Sequence, residues 1–522
     1  MSVRRRRPAR SAAPAALLGL VLAVVGLPLL APVCATAATA AADSAERQSA
    51  RLTVSPKRFV AGQGLRFRGR LPQQGRRQVH LEFNMNRPGD IWRELRGSSR
   101  WTEDDGSFDF RHPAPGMFGV SYRVAGGGLH TGRKLLEARS QDLLVWVSGE
   151  DRDDPSRPGR VRPRTDFGLS VDTTPRLHAR PDLDGTPVLK GRVLRLQQRE
   201  DATTWTDLAT TRVRKDGMGY FTGVRADRGT QVYRVVAEDW NRRGSRIGWF
   251  PSFPTYVEVG GAARPAASTA TAARPGTPAS RAGSPTTPAS TAYGWWPVVW
   301  DFAWEHGESL TAAAYQGSDL GGRWEESSTG TGRVAHHNGG LALSSGRHRG
   351  EGDGNRGTTR AWVIGAPMLT GRWEVRMRTK IRESSDRAYR LLAELVPARG
   401  SRKDRITMAE VVGGKRRLTF GLDHGSKRWR GKTRISDLDT SSPAIAVEVG
   451  LTHVTWLVNG RAVGTLAKKS ALIGRPLTLR LSLVGRGQKE MNYTELHSDW
   501  QRAFPLSTGQ QVRDGKRLRL VS

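Results

Sequence analysis

Two acidic side chains lie on segments that read as β-strands, sixteen residues apart. Glu394 sits inside the apolar run Leu391–Val396, and Glu410 inside Asp404-Arg405-Ile406-Thr407-Met408-Ala409-Glu410-Val411-Val412-Gly413. An unpartnered carboxylate inside such a run would cost several kcal/mol if buried, so Glu394 is expected to face a polar surface or a cation. Two carboxylates on one face can divide general acid and base roles. In a regular strand residues i and i+2 share a face but i and i+5 do not. One extra, bulged residue in a strand would put i and i+5 on one side. The Glu394–Glu410 pair is therefore one candidate for chemistry; the simpler structural roles are an ion pair of Glu410 with Arg405 and of Glu394 with an arginine.

Other residues suit binding. Lys415-Arg416-Arg417 and Lys427-Arg428-Trp429-Arg430 with Lys432 form the densest basic cluster, next to the Glu410 segment. Trp429, set between Arg428 and Arg430, and Trp362 present indole faces that could stack on a sugar ring. Trp373 and Trp500 are weaker candidates, since most Trp residues in a β-sandwich fill the core. Glu351, Asp353 and Asn355 place oxygen ligands at alternate positions, as calcium loops do, but no distal bidentate Glu follows. A plain surface loop is the simpler reading, and the expected cofactor is none beyond that candidate structural calcium. His336-His337 and His424 lack zinc spacing, and no phosphate loop or nucleotide fold is evident.

These segments need scaffolding, and the chain is long enough to hold several domains: 522 residues, with a formal net charge of +34. Residues 1–40 read as a signal peptide, with Arg4–Arg7 and Arg10 before an apolar run and Ala-x-Ala sites. The single cysteine, Cys34, falls inside it, so no disulfide is expected afterwards. Residues 51–149 and 165–259 read as two copies of one module. Val79-His80-Leu81, Trp92, Asp105-Gly106 and Tyr122-Arg123-Val124 recur as Leu194-Arg195-Leu196, Trp205, Asp216-Gly217 and Tyr233-Arg234-Val235. Short alternating runs and Asp-Gly turns in about 100 residues suggest immunoglobulin-like sandwiches with the Trp and Tyr in their cores. Residues 260–292 are dominated by Ala, Pro, Thr, Ser, Gly and Arg and read as a flexible linker. Residues 293–522 hold many alternating runs and no long amphipathic helix, the pattern of a two-sheet jelly roll.

Five landmarks across 293–522 give this last region a resemblance. They are Gly371-Arg372-Trp373-Glu374-Val375-Arg376, Leu392 to Pro397, Asp404 to Gly413, Val447-Glu448-Val449 with Thr455 to Gly460, and Asp499-Trp500-Gln501-Arg502-Ala503-Phe504. In that order they resemble family 16 glycoside hydrolases, whose fold is a concanavalin-like jelly roll. The family's catalytic strand carries Glu-x-Asp-x-x-Glu, so the resemblance implies a bulge that brings Arg405, Thr407 and Glu410 to one face. The resemblance implies that Glu410 keeps the acid/base position, that Arg405 replaces the nucleophile and that Thr407 replaces the auxiliary Asp. It also implies that Glu394 stands where the family often has a cleft-lining Trp, and so could act as a replacement partner for Glu410.

The overall expectation is an all-β, secreted or cell-surface bacterial protein that engages extracellular or cell-wall polysaccharide by binding. An active glycosidase or transglycosylase using Glu410 with a non-standard carboxylate is the alternative. An adhesion protein whose basic surface takes acidic polymers is a third. The expected partner is polysaccharide, possibly acidic, with no nucleotide and no membrane-spanning segment in the mature chain, and a monomer is expected.

Overall fold

The computed structural model describes residues 50–521, apart from 85, 87–91, 96, 117–119, 151–158, 176–183, 203, 226, 261–288, 296–298, 303–321, 337–339, 347–355, 382–387, 400–402, 487–490, 492–493 and 508. The signal segment 1–40, most of the linker and the Glu351, Asp353 and Asn355 loop fall outside them. No described helix is long and apolar enough to cross a membrane.

Architecture is all-β, built as three sandwiches in series. The first pairs a three-stranded sheet, Leu52–Ser55, Gly64–Arg70 and Ser107–Pro113, with a sheet ordered Arg58–Val60, Lys134–Arg139, Val120–Gly126, Gln78–Asn84. Alternation drives this: Val79, Leu81 and Phe83 are buried while His80 and Glu82 turn outward. The second repeats the order. Leu144–Val147, Phe167–Asp172 and Met218–Val224 form one sheet, and Gly159–Val161, Thr255–Val259, Gly229–Ala237, Val193–Arg199 and Trp205–Arg212 the other. In both, the short strand opening the larger sheet runs parallel to its neighbour, and the other pairings are antiparallel. Both Asp-Gly turns need glycine: φ is +79° at Gly106 and +84° at Gly217, where a side chain would be strained.

Two details differ from the sequence reading. Leu144–Val147, placed at the end of the first module, pairs with Phe167–Asp172 and belongs to the second sandwich. Tyr122 and Tyr233 are buried as expected, but Trp92 and Trp205 are not core residues. Each lies beneath an arginine, Arg123 at 4.3 Å and Arg234 at 4.2 Å from the ring centre. The strand carrying each arginine alternates, so Tyr points in and Arg points out to cover the indole.

The third sandwich has two eight-stranded sheets. One is ordered Arg333–His336, Leu341–Ser344, Thr494–Phe504, Gly371–Ile381, Ala444–Val449, Val454–Val458, Arg461–Leu466, with Trp300–Phe302 also on the Thr494–Phe504 strand. The other is ordered Arg323–Ser328, Thr358–Ile364, Leu477–Gly485, Tyr389–Pro397, Arg405–Val412, Arg417–His424, Lys427–Arg434, Arg519–Val521. Between them lie Trp300, Trp324, Trp373, Trp456 and the inward leucines of Leu477–Gly485. Each fully buried leucine contributes about 1.5–3 kcal/mol of apolar burial.

This sandwich is seated on the second one. Arg333 makes a buried ion pair with Asp142 at 2.9 Å, donates to the Pro251 carbonyl at 3.0 Å and stacks on Phe253 at 3.8 Å. Arg234 pairs with Glu326, and Arg199 donates to the Gly330 carbonyl.

Candidate functional site

The strand Arg405–Val412 alternates imperfectly, and the irregularity makes the site. Ile406, Met408, Ala409 and Val411 all join the core. Two consecutive inward residues require a slip, and pairing with Arg417–His424 shifts register between Thr407 and Glu410. Arg405, Thr407 and Glu410 consequently share the face turned away from the core, as the bulge expectation required. Pairing with Tyr389–Pro397 also shifts, between Ala393 and Glu394, so Glu394 lies opposite Thr407 and Leu392 opposite Glu410. Glu394 and Glu410 are thus diagonal neighbours on one face.

One row crosses the whole sheet: Glu325, Trp362, Arg480, Glu394, Thr407, Gly421, Arg430, Arg519, each opposite the next. Gly421 is needed there, because a β-carbon would come within 2.0 Å of the Trp429 carbonyl oxygen. Trp362 is half-buried on this outward face. Trp429 is not: it is 3% exposed and packs in the core. Arg428 and Arg430 flank it on the opposite side, so the two-residue period that exposes the cations buries the indole. Trp429 is thereby removed as a sugar-stacking residue, and Trp373 is likewise buried.

Every acid at the centre of this face is held by arginine. Glu394, 2% exposed, accepts from Arg480 at 2.8 and 3.1 Å and lies 3.7 Å from Arg405. Arg405 also pairs with Asp423 at 2.9 Å, and Arg430 takes the other Asp423 oxygen at 2.5 Å. Glu410, more open to solvent, pairs with Arg390 at 3.3 Å. The pairing of Glu410 with Arg405 expected as the simplest role does not occur; Arg405 leans the other way, toward Glu394 and Asp423. The acids lie near the sheet and the longer guanidiniums, partly exposed, extend over them. Thr407 is buried between, and its carbonyl accepts from the Trp456 indole N–H at 2.9 Å. At the end of the strand Asp404 accepts from the Gly425 backbone N–H and from His424. The Gly425 bond in particular holds its carboxyl below the usual value.

Sequence reasoning missed Asp423, Arg390 and Arg480. The alternation of Leu477, Leu479, Leu481 and Leu483 did mark Arg480 as outward, but nothing local marks which strand lies beside it. No group of three or more metal-ligating side chains occurs among the described residues.

No protein-family model matches this sequence, and no curated protein matches it. Among solved structures, the laminarinase catalytic domain from Thermotoga maritima MSB8 aligns at 13% identity over 41% of this chain and 99% of its own, with a TM-score of 0.32. An endo-1,3-β-glucanase catalytic domain from Thermotoga petrophila RKU-1 aligns at 14% identity over 33% and 79%, with a TM-score of 0.29. A non-specific endo-β-1,3(4)-glucanase of family 16 aligns at 12% identity over 40% and 90%, with a TM-score of 0.33.

Proposed function

We propose that the C-terminal sandwich engages extracellular polysaccharide through the outward face of the sheet carrying Glu410, and that it binds the chain without cleaving it. The reading of the substrate class rests on the ordered strand landmarks of residues 371–504. The reading of binding over cleavage rests on one observation: Glu394 and Asp423 are buried under guanidiniums, leaving Glu410 as the accessible carboxylate of the three. Double displacement needs a second carboxylate free to reach an anomeric carbon. Arg405, in the nucleophile's place, cannot attack, and Thr407 offers no charge. Trp362 supplies an apolar ring face beside Arg480. The two N-terminal sandwiches, read as immunoglobulin-like, serve to hold this face away from the point of attachment of a secreted protein.

The second reading, a glycosidase using Glu394 with Glu410, is favoured by their diagonal placement on one face. It requires Arg405 and Arg480 to release Glu394. Reducing-end release by the full chain on β-glucans, galactans and acidic glycans separates the two. Binding predicts retention of glycan in affinity electrophoresis with no release above that of Glu410→Ala. Release that vanishes in both Glu394→Gln and Glu410→Gln would establish the glycosidase.

A further inference from the structure

On the outward face the three acids Glu394, Glu410 and Asp423 pair with Arg390, Arg405, Arg430 and Arg480. The next strands carry cations with no such partner. Arg428, Lys432 and Arg434 alternate with Trp429 and with Gly431, against which the core Phe420 ring packs, so they point outward together with Arg430. Arg417 lies opposite Arg434, and Thr419 lies between Glu410 and Lys432. Among the described residues, none of Arg417, Arg428, Lys432 and Arg434 has a carboxylate within ion-pair distance, whereas the adjacent Arg430 does.

We propose that this strip binds an acidic polysaccharide, with carboxylate or sulfate groups repeated along the chain. The proposal rests on the reading that this face holds polysaccharide and names the class. Outward side chains on one strand recur about every 7 Å and neighbouring strands lie about 4.8 Å apart, so the strip offers positive charge repeatedly along its length. A ligand with one anionic group would satisfy one of these cations and leave the others repelling each other. A polyanion satisfies them all, and the +34 net charge of the chain raises its local concentration. Lys432 and Arg434 extend past the cover of Arg519–Val521, which pairs only with Arg428–Arg430, and charge on a free edge also deters strand pairing. Charge of either sign would serve that purpose, so edge protection does not account for the lack of acids here.

The test is affinity electrophoresis of the full chain against polygalacturonate, its methyl-esterified form, laminarin and polyglutamate. The parent is compared with Arg417→Gln/Arg428→Gln/Lys432→Gln/Arg434→Gln. Retention by polygalacturonate is expected to exceed that by the ester at least tenfold, to fall at least tenfold in the variant, and to weaken steeply with salt. Unfolding temperature checks the variant, and the acid-against-ester comparison on the parent stands without it. Equal retention by acid and ester, or by laminarin alone, overturns the proposal while the polysaccharide reading survives. Equal retention by polyglutamate overturns the choice of a glycan. Failure of all the glycans overturns both.

Discussion

Arg405 links two acids that would otherwise repel each other, Glu394 and Asp423. Arg405→Glu, which sets a third carboxylate between them, is therefore expected to destabilise the domain, on the order of 3 kcal/mol, and to create no hydrolysis. Urea denaturation and a reducing-end assay check the two halves. A second ionic cluster lies in the opposite sheet. Arg372 and Glu448, both fully buried, pair at 2.7 Å, and His453 and the Val512 N–H complete the shell of Glu448. Burial alone would push Glu448 up, but His453, Arg372 and Val512 outweigh it and place it below its ordinary value of 4.5. A lowered carboxyl contributes stability that is present above pH 4.5 and is lost as pH falls through the folded value. Glu448→Gln should flatten the acid limb of the stability curve; an unchanged limb would show that another group controls it. Arg372→Met leaves Glu448 with fewer partners and should cost about 3–5 kcal/mol by denaturant melt.

Between elements, the two N-terminal sandwiches differ at one revealing pair. In the first, Arg123 covers Trp92 and pairs with Glu82 directly across the sheet at 2.6 Å. In the second, Arg234 covers Trp205, but the position across from it is Gln197. Gln197 accepts one hydrogen bond at 2.7 Å, and the charge of Arg234 is satisfied by Glu326 of the third sandwich. Exchange of an acid for an amide thus turns an internal ion pair into a docking contact. Gln197→Glu should draw Arg234 back and place a second acid near Glu326. Faster proteolytic separation of residues 50–260 from the C-terminal domain is the expected result, with each fragment still folded.

For the whole molecule, that contact and the buried Arg333–Asp142 pair join the C-terminal sandwich to its neighbour, whatever the linker does. Asp142 lies in the short connection between the first and second sandwiches, next to Arg192, whose guanidinium donates to Gln141 and to the Gly248 carbonyl. Three sandwiches therefore meet near one joint. Arg333→Leu strands a buried carboxylate and should cost about 3–5 kcal/mol. The parent is expected to melt in one calorimetric transition and the variant in separate ones, with the C-terminal domain melting first. An unsplit transition would show that the remaining contacts suffice for coupling.

How much of this could be read in advance follows the range of the forces involved. Alternation with period two is local, so the sequence alone determined the strands, the Asp-Gly turns, the repeated module and the all-β class. Alternation alone would part Glu410 from Arg405 and Thr407; their shared face was expected only from the motif spacing that the resemblance supplied. The sequence did not determine register, and register decides neighbours. Arg390 rather than Arg405 meets Glu410, Arg480 joins Arg405 at Glu394, and Asp423 enters the site from the next strand. Trp429 looked like a cleft residue because its sequence neighbours are cations, yet those neighbours are outward because it is inward. The end of the first module was misplaced at Leu144–Val147 for a similar reason, since a strand's membership is fixed by its pairing partner. Docking lay furthest from view: Gln197, Arg234 and Glu326 gain their meaning only when two sandwiches are brought together, and no local pattern records a contact between residues that far apart.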